Sequence, residues 1–344
     1  MNFILNGQAS GDVASTLMSH QMDVGALRPF VGNDGRSYMS LNSGETIVTN
    51  APATLRKDDW IALDTAVLKA AKQRLRFVAD LRSSGLTYAV PNGIGSTVLQ
   101  YEQQSDISTA TISMDGLREG NTDRPEYNLV NLPLPIVHKD FQFSARQVAT
   151  SRSGGSPLDT TTAELAGRRV AEEVEKLALG ESSSYGYGGG SVYGLKNFPQ
   201  RLTKSMTTPT SSNHATTVNE VLEMKRQSQD AGYYGPWNLY AAPVWDEFLD
   251  EDYSTAKGDN TLRERLQRID GINNVITLDY LTGNDMILVQ QTSDVVREVI
   301  GLDVTTVQWE SHGGMQLNYK VMAIMVPQLR ADFNDNTGIV HGTY

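Results

Sequence analysis

Five histidines, His20, His138, His214, His312 and His341, are the side chains of this 344-residue chain best suited to proton transfer or metal binding near neutral pH. They are widely scattered. No two stand at a metal-ligand spacing, and the His-Glu-x-x-His pair is absent. His138 lies in an apolar segment beside Lys139 and Asp140; acid–base work could be done there, but a hydrogen-bonded structural histidine is the ordinary reading. Gly-x-Ser-x-Gly is missing, as is a Gly-x-Gly-x-x-Gly set between strand and helix. Cysteine is absent, which removes thiolate metal sites and disulfides. Asp246, Glu247, Asp250, Glu251 and Asp252 could hold a divalent cation weakly, though a solvated acidic face is the default for such a cluster. The glycines of residues 182–194 invite a phosphate-loop reading. The Gly-x4-Gly-Lys-Ser/Thr pattern is lacking and no strand precedes them, so a flexible surface loop is expected. No catalytic, cofactor-binding or metal-binding residue is assigned, no cofactor is expected, and the chain is read as no enzyme.

Charge and length narrow the classes further. A net charge of −11 argues against tight wrapping of nucleic acid, which scales with the phosphates neutralised by Lys and Arg. No apolar run approaches the roughly 18 residues of a membrane span, and the N-terminus lacks the basic-then-apolar pattern of a signal peptide. No membrane partner is expected. The length suffices for one large or two medium domains with a real core.

With no site to position, the elements themselves carry the information. Ala166, Val170, Val174 and Leu177 make one apolar stripe on a helix expected over 160–179. Thr161 and Glu164 have capping-box spacing, Gly180 is a natural stop, and Arg168, Arg169, Glu172, Glu173, Glu175 and Lys176 are expected on the other faces. At about 1.5 Å per residue this helix is roughly 30 Å long, a spine rather than a pocket wall. An earlier helix is expected from Lys57 to about Leu81, capped by Thr54 or Asp58, with Trp60, Leu63, Val67, Ala70, Arg74 and Phe77 on its inner face. Its late basic cluster, Lys69, Lys72, Arg74 and Arg76, fits ordinary helix-dipole complementarity. Residues 91–131 alternate like a long hairpin, with turns at Asp115-Gly116 and 119–125, and hold too few apolar residues for a core of their own. A two-stranded ribbon is marginal in water, so it needs another surface to lie on. Residues 1–54, with six glycines and scattered apolar patches, read as an extended arm. Beyond Thr207, helices are expected at 218–231, 244–250 and 261–269, with strands at 237–242, 274–278 and 286–290. A last strand, 315–326, alternates at first and then becomes apolar on both faces.

Several segments, in order, resemble the capsid-fold family shared by major capsid proteins of tailed phages and by encapsulin shells. They are LPLPIVHKDF (132–141), the SGGSPLDTTTAE loop and helix start (153–164), the helix ending in LALG, VYGLKN (192–197), DAGYYGPWNLY (230–240), GLDVTTVQWE (301–310) and the late apolar strand. The resemblance covers about Leu55 to the C-terminus. It implies an α+β, Hong Kong 97-type capsid fold with these parts: an N-terminal arm (1–54), the first helix within a P-domain (55–90), an extended loop (91–131), the P-domain with the spine helix 160–179 (132–206), an A-domain (207–299), P-domain return strands (300–330) and a C-terminal segment of the A-domain (331–344). It also implies a function: a major capsid protein whose copies form pentamers and hexamers in an icosahedral head enclosing double-stranded DNA without sequence-specific contacts. The location implied is the virion, after assembly in the host cytoplasm. Portal, scaffolding and decoration proteins are the implied partners; as the chain starts at Met1, a scaffold is expected to be a separate protein. The alternative is an encapsulin compartment enclosing cargo enzymes. The roughly 55-residue arm and the long ribbon favour the phage shell. Some phage shells of this fold cross-link an extended-loop lysine to a neighbour's asparagine. Residues 91–136 contain no lysine, so a non-covalent shell is expected.

Overall fold

Two apolar surfaces meet along the spine helix, and they organise the molecule. The computed structural model describes residues 57–105, 107–110, 124–153, 160–210, 213–253, 260–313 and 315–343, short strand segments within 3–5, 29–31, 36–40 and 46–49, and positions 112, 114 and 122. Most of the expected arm lies outside the described residues, as do Thr54, His20, the turn at Asp115-Gly116 and the loop 154–159. Within 1–54, β1 (Phe3–Leu5), β2 (Pro29–Val31), β3 (Ser37–Ser40) and β4 (Thr46–Thr49) pair in the order β1-β4-β3-β2. These patches thus join a sheet instead of running singly, because backbone pairing needs no sustained side-chain periodicity.

The first helix is not continuous to Leu81. It divides into α1 (Lys57–Lys72) and α2 (Arg76–Ser83). The reason is a buried carboxylate: Glu175 on the spine accepts the backbone N–H of Phe77 at 2.6 Å and of Val78 at 3.5 Å. These are first-turn amides that a continuous helix would have used internally. Trp60, Leu63, Val67 and Ala71 bury one face of α1. Phe77 turns to the other core, edge-on to Tyr240 with ring centroids 5.2 Å apart, so it does not pack the first helix as expected.

The chain then gives β5 (Thr87–Ala89), the ribbon strands β6 (Val98–Gln104) and β7 (Tyr127–Pro133), β8 (Val137–Ser144) and α3 (Ala145–Ser153). The hairpin expected over 91–131 is shorter among the described residues: 107–110 form no strand, and pairing ends at Gln104 opposite Tyr127. The spine, α4, runs Thr161–Leu179, and Gly180 ends it at φ +86°, where the Glu181 amide reaches back to the Lys176 carbonyl at 2.9 Å. Its N-cap is Thr160, one residue before the Thr161–Glu164 box, so that spacing is out of register and the Thr160 side chain makes no capping bond. The expected stripe is buried, and Ala163, Gly167 and Ala171 widen it. A Cβ on Gly167 would stand 2.8 Å from Val67 Cγ1 and 2.9 Å from the Val67 carbonyl oxygen, so this glycine lets α1 and α4 touch.

The Gly-rich segment is an ordered hairpin, not a loose loop: β9 (Tyr185–Tyr187) pairs β10 (Gly190–Val192) around Gly188 and Gly189, both at positive φ. Two consecutive positive-φ residues are what a tight I′ turn demands, and glycine meets that demand without strain. The remaining elements are β11 (Leu202–Ser205), α5 (His214–Asp230), β12 (Trp237–Ala241), α6 (Trp245–Asp250), α7 (Leu262–Gln267), β13 (Ile272–Thr277), β14 (Met286–Gln290), β15 (Val296–Ser311), β16 (Gln316–Leu329) and β17 (Ile339–Thr343).

Two larger sheets result. The order β5-β15-β16-β8 lies under α1 and the first half of α4, with Phe141, Phe143, Tyr319 and Val321 facing them. The order β11-β17-β14-β12-β13 forms the second core with α2, α5, α6, α7 and the end of α4, around Trp237, Tyr240 and Trp245. At about 3.3 Å per residue β16 spans roughly 45 Å, and its second half is buried on both faces. One helix and one strand therefore run through an elongated body and enter both cores.

Candidate assembly surface

The junctions that hold this frame rigid are polar. Glu175, almost wholly buried, is pushed up to about 7, by burial first and by Glu298 in addition, against the pull of the amides it caps. Glu298 lies beside Arg82, Oε2 to Nε 3.0 Å. Burial raises the Glu298 carboxyl despite that cation. Arg82 is also held up: burial opposes its charge, but the hydrogen bonds and charges of Glu298 and Asp303 together outweigh it. The two directions agree once the half-open guanidinium is set against the closed-in carboxylate. Glu172 and Glu175 were expected on exposed faces; both are buried, Glu172 because Arg168 and Arg169 fold over it at 2.7 and 2.8 Å.

At the far end of the spine, Lys196 Nζ joins Glu181 Oε1 (2.9 Å) to Asp285 Oδ2 (2.8 Å), and Glu181 Oε1 accepts the Thr282 amide. Burial opposes the charge on all three side chains, but the Thr282 amide and Lys196 hold Glu181 low, His341 and Lys196 hold Asp285 low, and the two carboxylates hold the ammonium high. Asp80 Oδ2 accepts from Asn238 Nδ2 at 2.8 Å and from the Tyr240 hydroxyl, fastening α2 to the five-stranded sheet. Sequence reasoning missed these fasteners because each joins residues far apart in the chain.

Against this frame the ribbon stands out. Its root is anchored: Gln103 Nε2 donates to the Ala331 carbonyl at 3.0 Å, and Asn131 Nδ2 donates to the Gly188 carbonyl at 3.0 Å. Further out, several apolar side chains among the described residues are exposed. Ile107 is 66% exposed, Ile112 95%, and Met114, Tyr127 and Leu129 are also open to solvent. A second exposed apolar set, Ile61 and Leu165, lies on α1 and α4, the neighbouring helices of the spine layer.

No constellation for chemistry assembles among the described residues. No three His, Cys, Asp or Glu side chains there converge to hold a metal ion. His138 is half exposed on β8, with Nδ1 3.5 Å from Asp140 Oδ1. His214 meets Glu251 at 3.0 Å, and His312 occupies a turn at φ +53°. His341 is buried between Arg201 (Nε to Nδ1, 3.2 Å) and Asp285 (3.5 Å), inside the Lys196 network. Asp246 and Asp250 are bound by Arg263 at 2.7 and 2.9 Å, so that part of the acidic cluster serves an ion-pair network. An open trough of about 770 Å³ runs between the ribbon root and the Gly-rich hairpin. Ser191 lines it with no histidine or lysine beside it. Among the described residues, no helix is long and apolar enough to cross a membrane.

Solved structures share this architecture. The virus-like particle of Pyrococcus furiosus superposes with a TM-score of 0.59 over 83% of this chain and 99% of that one, at 18% identity. The capsid of Myoviridae phage XM1 gives 0.56 over 74% and 89%, at 9% identity, and Mycobacterium phage Adephagia gives 0.55 over 76% and 88%, at 10%. The fold is therefore the Hong Kong 97-type capsid fold. In sequence, the chain is 24% identical over 199 residues to the type 1 encapsulin shell protein EncA of Myxococcus xanthus. That alignment spans 56% of this chain and 63% of the relative's length. The chain belongs to the family of unknown function DUF6260, whose model matches residues 50–342.

Proposed function

We propose that this chain is a major capsid protein, a structural subunit whose copies close into the icosahedral head of a tailed phage around double-stranded DNA. The observation that carries the reading is the ribbon, rooted on a rigid two-core body while its apolar outer residues are left open to water. A limb of that kind is useful when it lies on another copy. The division that follows is an arm (1–54), a P-domain (55–90, 132–206 and 300–330), an extended loop (91–131) and an A-domain (207–299 with 331–344). Self-association is expected in rings of five and six. Portal, scaffolding and decoration proteins are the further partners, the role is structural rather than enzymatic, and the location is the virion after assembly in the host cytoplasm. The acidic balance suits a wall that faces packed DNA without gripping it.

A second reading, an encapsulin compartment around cargo protein, is favoured by the likeness to EncA. Purified particles decide between them. A nucleic-acid absorbance ratio with nuclease-protected DNA in wide particles supports the phage head; small particles filled with protein support the compartment.

A further inference from the structure

Several arginines among the described residues are answered by a carboxylate: Arg82 by Glu298, Arg168 and Arg169 by Glu172, Arg263 by Asp246 and Asp250. Arg297 and Arg330 are different. They lie on adjoining rows of the β15–β16 hairpin, where Arg297 pairs with Gln328 and the Arg330 amide donates to the Val295 carbonyl at 2.9 Å. The Arg297 guanidinium stands 4.4 Å from the Tyr88 ring centre, and Arg330 5.0 Å from that of Tyr101. Arg297 Nε also donates to Gln328 Oε1. Among the described residues, neither has a carboxylate within ion-pairing reach. The charged and phenolic neighbours that act on Arg297 are Arg330, Tyr88 and Tyr101; burial first, and Arg330 second, push it below its ordinary value. Two half-buried like charges are thus stacked on tyrosines with no carboxylate among the described residues to neutralise them, in a chain whose net charge is −11.

We propose that Arg297 and Arg330, stacked on Tyr88 and Tyr101 at the ribbon root, are a docking site for carboxylates on the ribbon of a second copy of this chain. The inference rests on the shell reading. Charge complementarity selects the occupant: over residues 98–131 the ribbon carries Glu102, Asp106, Asp115, Glu119, Asp123 and Glu126 against only Arg118 and Arg124. Glu102 and Glu126 are exposed. Guanidinium forks match carboxylates bidentately, and the tyrosine faces hold the forks in place before the partner arrives. A nucleic acid is disfavoured as the occupant, since a chain of net charge −11 repels phosphates overall.

Full-length chains, dissociated and reassembled over a range of concentrations, provide the test. Arg297→Gln/Arg330→Gln, with a wild-type circular dichroism spectrum, is expected to need about tenfold more protein to form shells, the equivalent of about 1.4 kcal/mol. Arg297→Lys/Arg330→Lys, which keeps the charge but not the bidentate fork, should recover only part of that loss. Ribbon neutralisation (Asp106→Asn, Asp115→Asn, Glu119→Gln, Asp123→Asn, Glu126→Gln) should match the arginine variant, and combining the two should add little, as expected of groups that touch. Wild-type assembly by the arginine variant, or fully additive losses, overturns the proposal. So does assembly that duplex DNA promotes only while the arginines are present, since phosphate would then be the occupant. If wild-type chains form no shell, the shell reading fails, and a synthetic peptide of residues 105–126 still decides the site. Binding to wild type about tenfold tighter than to the glutamine variant supports it, and equal binding overturns it.

Discussion

At the scale of single residues, the most consequential group is Glu175, a carboxyl that caps one helix from the buried face of another. Its folded value, about 7, lies above its unfolded value of about 4.5. Such a group contributes stability that is full below pH 4.5 and is lost as pH rises through 7. Dissociated subunits should therefore lose stability, of order 3 kcal/mol, between pH 5 and pH 8 in urea unfolding, and Glu175→Gln should remove most of that loss. An unchanged pH slope in the variant would contradict this role. Gly167 is the second such residue. Gly167→Ala should destabilise the subunit by about 1–3 kcal/mol through overpacking against Val67, read from the urea midpoint at constant slope. Neither residue was legible as special beforehand. Glu175 sits among charges that a helical wheel assigns to the surface, and what buries it comes from residues 76–78, far away in the chain. The expected stripe Ala166, Val170, Val174 and Leu177 was legible, since helical spacing alone brings those side chains together.

At the scale of elements, regular pattern was readable and its interruption was not. The spine, α5, β12 and β14 stand within a few residues of where periodicity and punctuation put them. β15 runs unbroken through Gly301, Leu302 and Asp303, although glycine weakens a strand interior. Pairing with β16 absorbs them as register shifts between Ile300 and Thr305. The Gly-rich segment misled in the other direction, because flexible composition can satisfy a turn that only glycine fits. That hairpin supports the ribbon: a Cβ on Gly190 would lie 2.0 Å from the Asn131 carbonyl oxygen. Gly190→Ala should loosen the ribbon root, seen as faster amide exchange at residues 128–132 with little change at β12 or β14. Uniform protection in the variant would count against that contact. For the arm, chains lacking residues 1–54 should fold, by circular dichroism, yet fail to make normal particles; normal particles would remove the arm from the assembly scheme.

At the scale of the whole molecule, the account is one of geometry shared between copies. A body with two cores threaded by one helix and one long strand keeps its shape while limbs reach outward, and many modest contacts acting together can hold a closed shell. Because residues 91–136 contain no lysine, those contacts should be non-covalent by the extended-loop route. A denaturing gel of mature particles should show a single band near 37.7 kDa, and a ladder of multimers would refute that expectation. The most direct test of the central claim is the mass and form of the purified native protein, by light scattering and electron microscopy. The account predicts closed shells of uniform diameter built from many copies. A stable 37.7 kDa monomer at high concentration, with the outer ribbon protected by its own body, would contradict it.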